Sequence, residues 1–269
     1  MPEGVCALCH QNAELRDSHL IPKGVYKALR EPDHVIRHPI LVTAAATVQS
    51  SEQVSDYLLC CRCELIFEQN GEDWVLRNSP KRSGKFPLRD ALLRSSVKSE
   101  IPSGIICKAP HDPAFDMEKL IYFAASVFWR ASVHDWGGSK HLMTPAPLSP
   151  LVEGQLRRFL LGIGPFPART SLLISVSAGQ HPRPQCVFPT PMQKSSPNVP
   201  DISAVAFCTP GLQFRFMWDN VPENSQSVSV IRPPHAVLLT DRVEDEIFEN
   251  ASHLRLTSKV VGSLGDVSF

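Results

Sequence analysis

The sequence predicts an α+β protein: an N-terminal module closed around a metal, a helical segment, and a C-terminal region of short antiparallel strands. Three observations carry this prediction. Two Cys-x-x-Cys pairs, Cys6/Cys9 and Cys60/Cys63, bring four thiols to the first quarter of the chain. Two segments between residues 116 and 162 repeat apolar side chains at helical spacing. Beyond residue 170 the apolar runs are short, β-rich and separated by Pro and Gly. The division falls near residue 100, giving a module at 1–100 with a basic tail and an α+β region at 101–269.

The chain has 269 residues, enough for one large core or two smaller ones. Lys plus Arg and Asp plus Glu both total 27, so net charge by itself points to no partner. The 24 prolines favour loops and short strands over long helices. MPEGVCALCH has neither the basic nor the apolar stretch of an export signal. No apolar run approaches the ~18 residues of a membrane helix. The expectation is a soluble, cytoplasmic protein with no membrane partner.

Four thiols in paired x2 spacing, without an export signal, point to metal rather than disulfides. Two such knuckles make the closed tetrahedral site that structural Zn²⁺ prefers, with Cys6, Cys9, Cys60 and Cys63 as ligands. Cys61 has only one residue between it and Cys63, so it points elsewhere. Cys107, Cys186 and Cys208 stand among apolar neighbours and read as core residues. CALCH also fits the haem-attachment pattern Cys-x-x-Cys-His. Haem would leave the second knuckle unemployed, and no axial methionine stands out.

Between the knuckles, SHLIPK (Ser18 to Lys23) supplies a strand-borne His19, followed by a short helix over 24–30 and a loop with His34 and His38. ILVTAAATV (40–48) fits strand or helix. Leu65, Ile66 and Phe67 with Glu64 and Glu68 predict a helix after the second knuckle, capped at Asn70-Gly71. Residues 77–98 are strongly basic: Arg77, Lys81, Arg82, Lys85, Arg89, Arg94 and Lys98 face only Asp90. Such a run either attracts phosphate backbones or is a solvated linker.

Asp116 is the expected N-cap of a helix to Ser132, with residues 120, 123, 124, 127 and 128 on one face. Within or just past it, Trp129, Arg130 and His134 are the most suggestive polar or aromatic groups. Arg130 can reach phosphate, but beside aromatics at a helix end it reads more readily as structural. Ser149, Pro150 and Gly162 delimit a second helix burying Leu151, Leu156, Phe159 and Leu160. Strands are expected at 171–177, 204–208, 212–218, 227–231 and 236–239, with a hairpin turn at Thr209-Pro210-Gly211. The six prolines of 181–200 predict a long exposed loop.

The order of knuckle, His-containing strand, long loop, knuckle and helix resembles the HNH endonucleases, built on a treble-clef zinc site. CALCH, DSHLIPKGVYKAL, LLCCRCE, NGEDWV and IYFAASVFWRASVHDW are similar to a group of bacterial HNH-like proteins. These are in turn similar to components of anti-phage defence systems, where a nuclease subunit accompanies an ATPase or sensor. Residues 100–269 match only loosely. The resemblance implies that His19 is a general base, deprotonating water for attack on a DNA phosphodiester. It also implies a catalytic divalent ion, Mg²⁺, Mn²⁺ or Ni²⁺, that stabilises the developing charge.

An acid commonly precedes the His in the HNH pattern; here Ser18 stands there, as in the rest of the group. Asp17 falls on the same strand face as His19. Glu64, in place of the usual Asn or His after the second knuckle, is the other candidate ion ligand, with Glu68, His34 and His38 as further ones. Lys23, Arg77, Lys81, Arg82, Lys85 and Arg89 are the expected nucleic-acid contacts. The alternative is a catalytically inactive zinc scaffold, an adaptor or nucleic-acid-binding protein working with a partner, in which His19 only packs against the module.

Overall fold

The computed structural model describes residues 1–30, 53–81, 83–95, 98–108, 115–136, 146–180, 186–192, 202–221, 229–231 and 235–243. It also describes the backbone of 40–42 and 47–49 and a few isolated positions. Strands β1 (Glu3–Val5), β2 (Asn12–His19) and β5 (Ser55–Cys60) form an antiparallel sheet in the order β1-β2-β5. Helix α1 (Lys23–Ala28) follows Pro22, whose fixed φ starts the first turn without losing a donor. The ambiguous 40–48 stretch is a strand pair, β3 (Ile40–Val42) and β4 (Thr47–Gln49). His34 and His38 lie outside the described residues.

After β5 the chain forms α2 (Cys61–Phe67), a π turn (Glu68–Glu72) and α3 (Asp73–Asn78) without a break. The expected cap at Asn70-Gly71 is therefore absent. Gly71 serves packing instead: a Cβ there would lie 2.8 Å from the Phe123 backbone nitrogen. The widened turn, a local i→i+5 excursion, carries Gly71 and Glu72 where the next long helix crosses. The basic run holds a further helix, α4 (Pro87–Arg94), then a hairpin of β6 (Lys98–Ile101) and β7 (Gly104–Lys108). Neither was legible from periodicity.

Helix α5 (Met117–Val133) begins at Asp116, whose Oδ1 accepts from the Lys119 backbone N–H at 3.0 Å. Helix α6 (Pro150–Leu160) begins at Ser149, whose Oγ accepts from Val152. Gly162 (φ 70°) follows its end in the left-handed region. The buried stripe of α6 is Val152, Leu156 and Leu160, at i, i+4 and i+8, so Leu151 falls outside it and is 71% exposed, contrary to expectation.

The remaining strands are β8 (Ser171–Ser177), β9 (Val187–Pro191), β10 (Ser203–Thr209), β11 (Leu212–Trp218) and β12 (Ala236–Thr240). Together with the hairpin they make a seven-stranded sheet ordered β6-β7-β12-β8-β11-β10-β9. Its ladders are antiparallel except β12 against β8, which is parallel. The β10–β11 hairpin turns at Pro210-Gly211 with Gly211 at φ 71°, as its residues predict. Two readings change. The Pro-rich stretch contains β9, an edge strand, where a missing N–H costs no ladder bond. Of the strand expected at 227–231, positions 227 and 228 lie outside the described residues and 229–231 form no strand; Val230 N–H and the Ser229 hydroxyl satisfy Leu172 at the end of β8 that β12 does not reach.

Helix α5 is buried from Leu120 to Arg130 on all sides, the pattern of a helix inside the core. Phe123 and Phe128 meet Phe207, Phe214 and Phe216 of the large sheet at ring distances of 4.9–6.1 Å. On its other side Phe67 lies 6.1 Å edge-on from both Tyr122 and Trp129. The apolar core thus runs unbroken from the cysteine-bearing sheet through α5 to the large sheet. No helix among the described residues is long and apolar enough to cross a membrane.

Ala for Gly ordinarily stabilises a helix by about 1 kcal/mol. In Gly71→Ala the sign should reverse, with a loss of about 1–3 kcal/mol from overpacking against α5. Urea unfolding of the two chains checks this.

Candidate metal centre

The first knuckle is a turn between β1 and β2. Cys6 N–H donates to Gln11 O (2.9 Å) and His10 N–H to Cys6 O (2.8 Å), with His10 at φ 59° closing the bend. This curls Cys9 back over Cys6. The second knuckle is a strand-to-helix junction: Cys60 ends β5 as the N-cap of α2, and Cys63 lies in the first turn. The two knuckles are joined directly, by Ala7 N–H to Leu58 O at 3.1 Å and Cys60 N–H to Cys6 Sγ at 3.3 Å.

The four Sγ atoms of Cys6, Cys9, Cys60 and Cys63 all lie within 4.8 Å of one another. Cys9 and Cys60 are 3.9 Å apart, far beyond a ~2.05 Å disulfide. That separation matches the ~3.8 Å edge of a tetrahedron whose Zn–S bonds are ~2.3 Å. The group can hold a metal ion such as zinc, as the spacing predicts. Protons shared among the thiols give a lopsided alternative. Hydrogen bonding from the Cys63 thiol, with help from backbone N–H groups, pulls the Cys6 thiol down to about 4. Donating that bond pushes the Cys63 thiol up, and burial pushes Cys9 up. A divalent cation at the centre stabilises all four thiolates at once. Cys61 is exposed and turned away; Cys107 and Cys208 are buried and Cys186 partly so, in line with core roles.

Beside this centre, β2 presents its last residues to α2. A register shift between Arg16 and Asp17 breaks the alternation that buries Leu15 and turns Ser18 inward, where it is fully buried, leaving Asp17 exposed and His19 half-buried. The Ser18 hydroxyl donates to Glu64 Oε1 and accepts from Leu59 N–H at 3.1 Å. Glu64 therefore meets the residue before His19. Among the described residues, neither Asp17 nor His19 hydrogen-bonds to it, and the four cysteines are the sole group of three or more side chains close enough to share an ion. Burial raises the Glu64 carboxyl above its usual range. The Ser18 hydroxyl and the Arg130 guanidinium pull it down, while Glu72 and Cys6 add to the rise. The His19 ring lies 6.2 Å from that of Tyr26.

Arg130 is the group that sequence reasoning placed but did not connect. It is 1% exposed and lies over the Phe67 ring at 5.2 Å. Its guanidinium donates to His19 O (2.8 Å) and Glu72 Oε1 (2.6 Å), and reaches Ser126 O (3.3 Å). A buried charge needs both an opposite charge and hydrogen bonds for its remaining donors, and the π turn supplies the first through Glu72. Its role is structural, as the neighbouring aromatics suggested. Trp129 donates Nε1–H to Glu153 at 2.7 Å, and His134 pairs with Asp56 at 2.8 Å.

The expected nucleic-acid contacts divide. Lys23 and Lys85 are exposed. Arg77 is exposed and 3.7 Å from Asp73, and Lys81 donates to Leu76 O at 2.6 Å. Arg89 is buried, paired with Asp90 and bound to Gly179 O at 2.5 Å, so its guanidinium is engaged within the fold. Arg82 lies outside the described residues. Compared with protein-family models, curated proteins and solved structures, the chain finds no match.

Metal analysis should give one zinc per chain. Cys63→Ser should lose it and, since structural zinc contributes about 10–16 kcal/mol in small modules, should unfold the N-terminal sheet. Cys61→Ser should keep both zinc and melting temperature. Full zinc content in Cys63→Ser would contradict the assignment of the centre.

Proposed function

We propose that the chain is a metal-dependent HNH-type endonuclease that cleaves DNA phosphodiester bonds and acts with a protein partner in anti-phage defence. The observation that supports this most is the placement of Ser18-His19 at the end of β2, beside the cysteine centre, with Glu64 of α2 bonded to Ser18. His19 is the general base, taking a proton from the attacking water. It is half-exposed, so a phosphate can approach it, and its backbone is fixed by the Arg130 bond to its carbonyl.

Glu64, with Ser18 as its hydrogen-bonded neighbour, is the oxygen donor set for a catalytic divalent ion. Hard cations such as Mg²⁺ take oxygen ligands, and one or two carboxylates suffice when substrate phosphates complete the shell. When bound, such an ion supplies charge stabilisation at the phosphorus and the leaving oxygen. Asp17, the other acid near His19, is exposed on the strand face opposite the Ser18–Glu64 pair.

The other reading is a zinc scaffold without catalysis. It is favoured by the absence, among the described residues, of any clustered metal ligands besides the cysteines.

Incubation with plasmid DNA and Mg²⁺, Mn²⁺ or Ni²⁺ should yield nicked or linear product. His19→Ala should slow it by about 10²–10⁴-fold, the usual share of a general base. On the scaffold reading, no cleavage occurs with any ion, and His19→Ala retains partner binding that Cys60→Ser abolishes.

A further inference from the structure

The basic run folds around a cleft that the His19 site does not use. Helices α3 and α4, with Lys85 and Phe115, line an open cleft of about 320 Å³. That is the lower end of the ~300–1,000 Å³ range of ligand pockets. One wall is aromatic: half-buried Trp74 meets buried Phe115 edge to face at 6.2 Å. Lys85 and Arg94, both exposed, line the same space. Asn78, whose side-chain amide Nδ2 donates a hydrogen bond to Trp74 O at 2.8 Å, is a polar group in the wall. Among the described residues the one acid in the lining, Asp90, is bound by Arg89 at 2.7 and 3.0 Å, so its charge is compensated within α4.

A flat π surface beside two cations matches a ligand with a flat π system and an anion on one short linker. That describes a nucleotide. We propose that the cleft between α3 and α4 binds a single unpaired nucleotide unit, its base against Trp74 and its phosphate held by Lys85 and Arg94. An acidic peptide satisfies the cations but leaves the indole unused. A duplex covers the base faces that the ring would contact. Base–aromatic stacking tolerates any base, so the site should bind without marked sequence preference. The proposal stands whether or not His19 cleaves, because it concerns binding alone.

Fluorescence anisotropy with a labelled single-stranded oligothymidylate, without added divalent ions, tests it, with deoxyadenosine monophosphate, duplex DNA and polyglutamate as competitors. Lys85→Ala should weaken binding and lower the slope of log K against log salt by about 0.7, the value for one phosphate contact on a single strand. Trp74→Leu should lose about five- to a hundredfold in affinity, and Trp74→Phe should recover part of it. Strong competition by the mononucleotide supports the site with a free nucleotide as ligand; weak competition supports a strand. No oligonucleotide binding, affinity and salt slope unchanged in the surface variant Lys85→Ala, or displacement by polyglutamate or duplex as effective as by single strands, overturns it.

Discussion

Mutual repulsion among thiolates is the constraint around which the N-terminal half is arranged. Four sulfurs within 4.8 Å cannot all carry charge unless a cation sits among them. The hairpin turn closed by His10 and the β5–α2 junction make that convergence possible, one supplying each pair. Once the pairs meet, β2 must run alongside α2, and Ser18 is brought onto Glu64. The neighbourhood of His19 is thus a consequence of how the four cysteines converge. Arg130 adds to it a hydrogen bond donated to the His19 carbonyl.

What was legible in the sequence was what is decided locally. The x2 spacing of the cysteines, the Asp116 and Ser149 caps and the Pro210-Gly211 turn each depend on a few consecutive residues, and each holds. What escaped depends on partners far along the chain. Gly71 looks like a helix stop until α5 is present, and only then does its missing Cβ become a point of contact. Arg89 looks like a surface cation until Gly179, 90 residues on, offers a carbonyl. The prolines of β9 argue against a strand unless that strand lies at an edge. The parallel β12–β8 pair is likewise invisible to local pattern, since alternation of side chains is the same in either direction.

The candidate site follows the same rule. Strand periodicity places Asp17 and His19 together, but counted from buried Leu15 it would turn Asp17 inward; the register shift at Arg16/Asp17, which leaves no mark in the sequence, makes Ser18 the residue that faces the helix. The acid it meets, Glu64, was already a candidate from its place after Cys63. Arg130 and Glu72 could not be paired in advance, because the π turn that aims Glu72 leaves no compositional mark.

The buried arginine has a wider consequence. It projects from a helix whose far side is the floor of the large sheet, and it grips both the strand after the first knuckle and the turn after the second. With a cation held by the cysteines, its loss would loosen both of those anchors and leave a buried positive charge with weakened compensation. The β-rich half would therefore register whether metal is present, although it contributes no ligand. Ion supply and integrity of the whole molecule would then become one cooperative event.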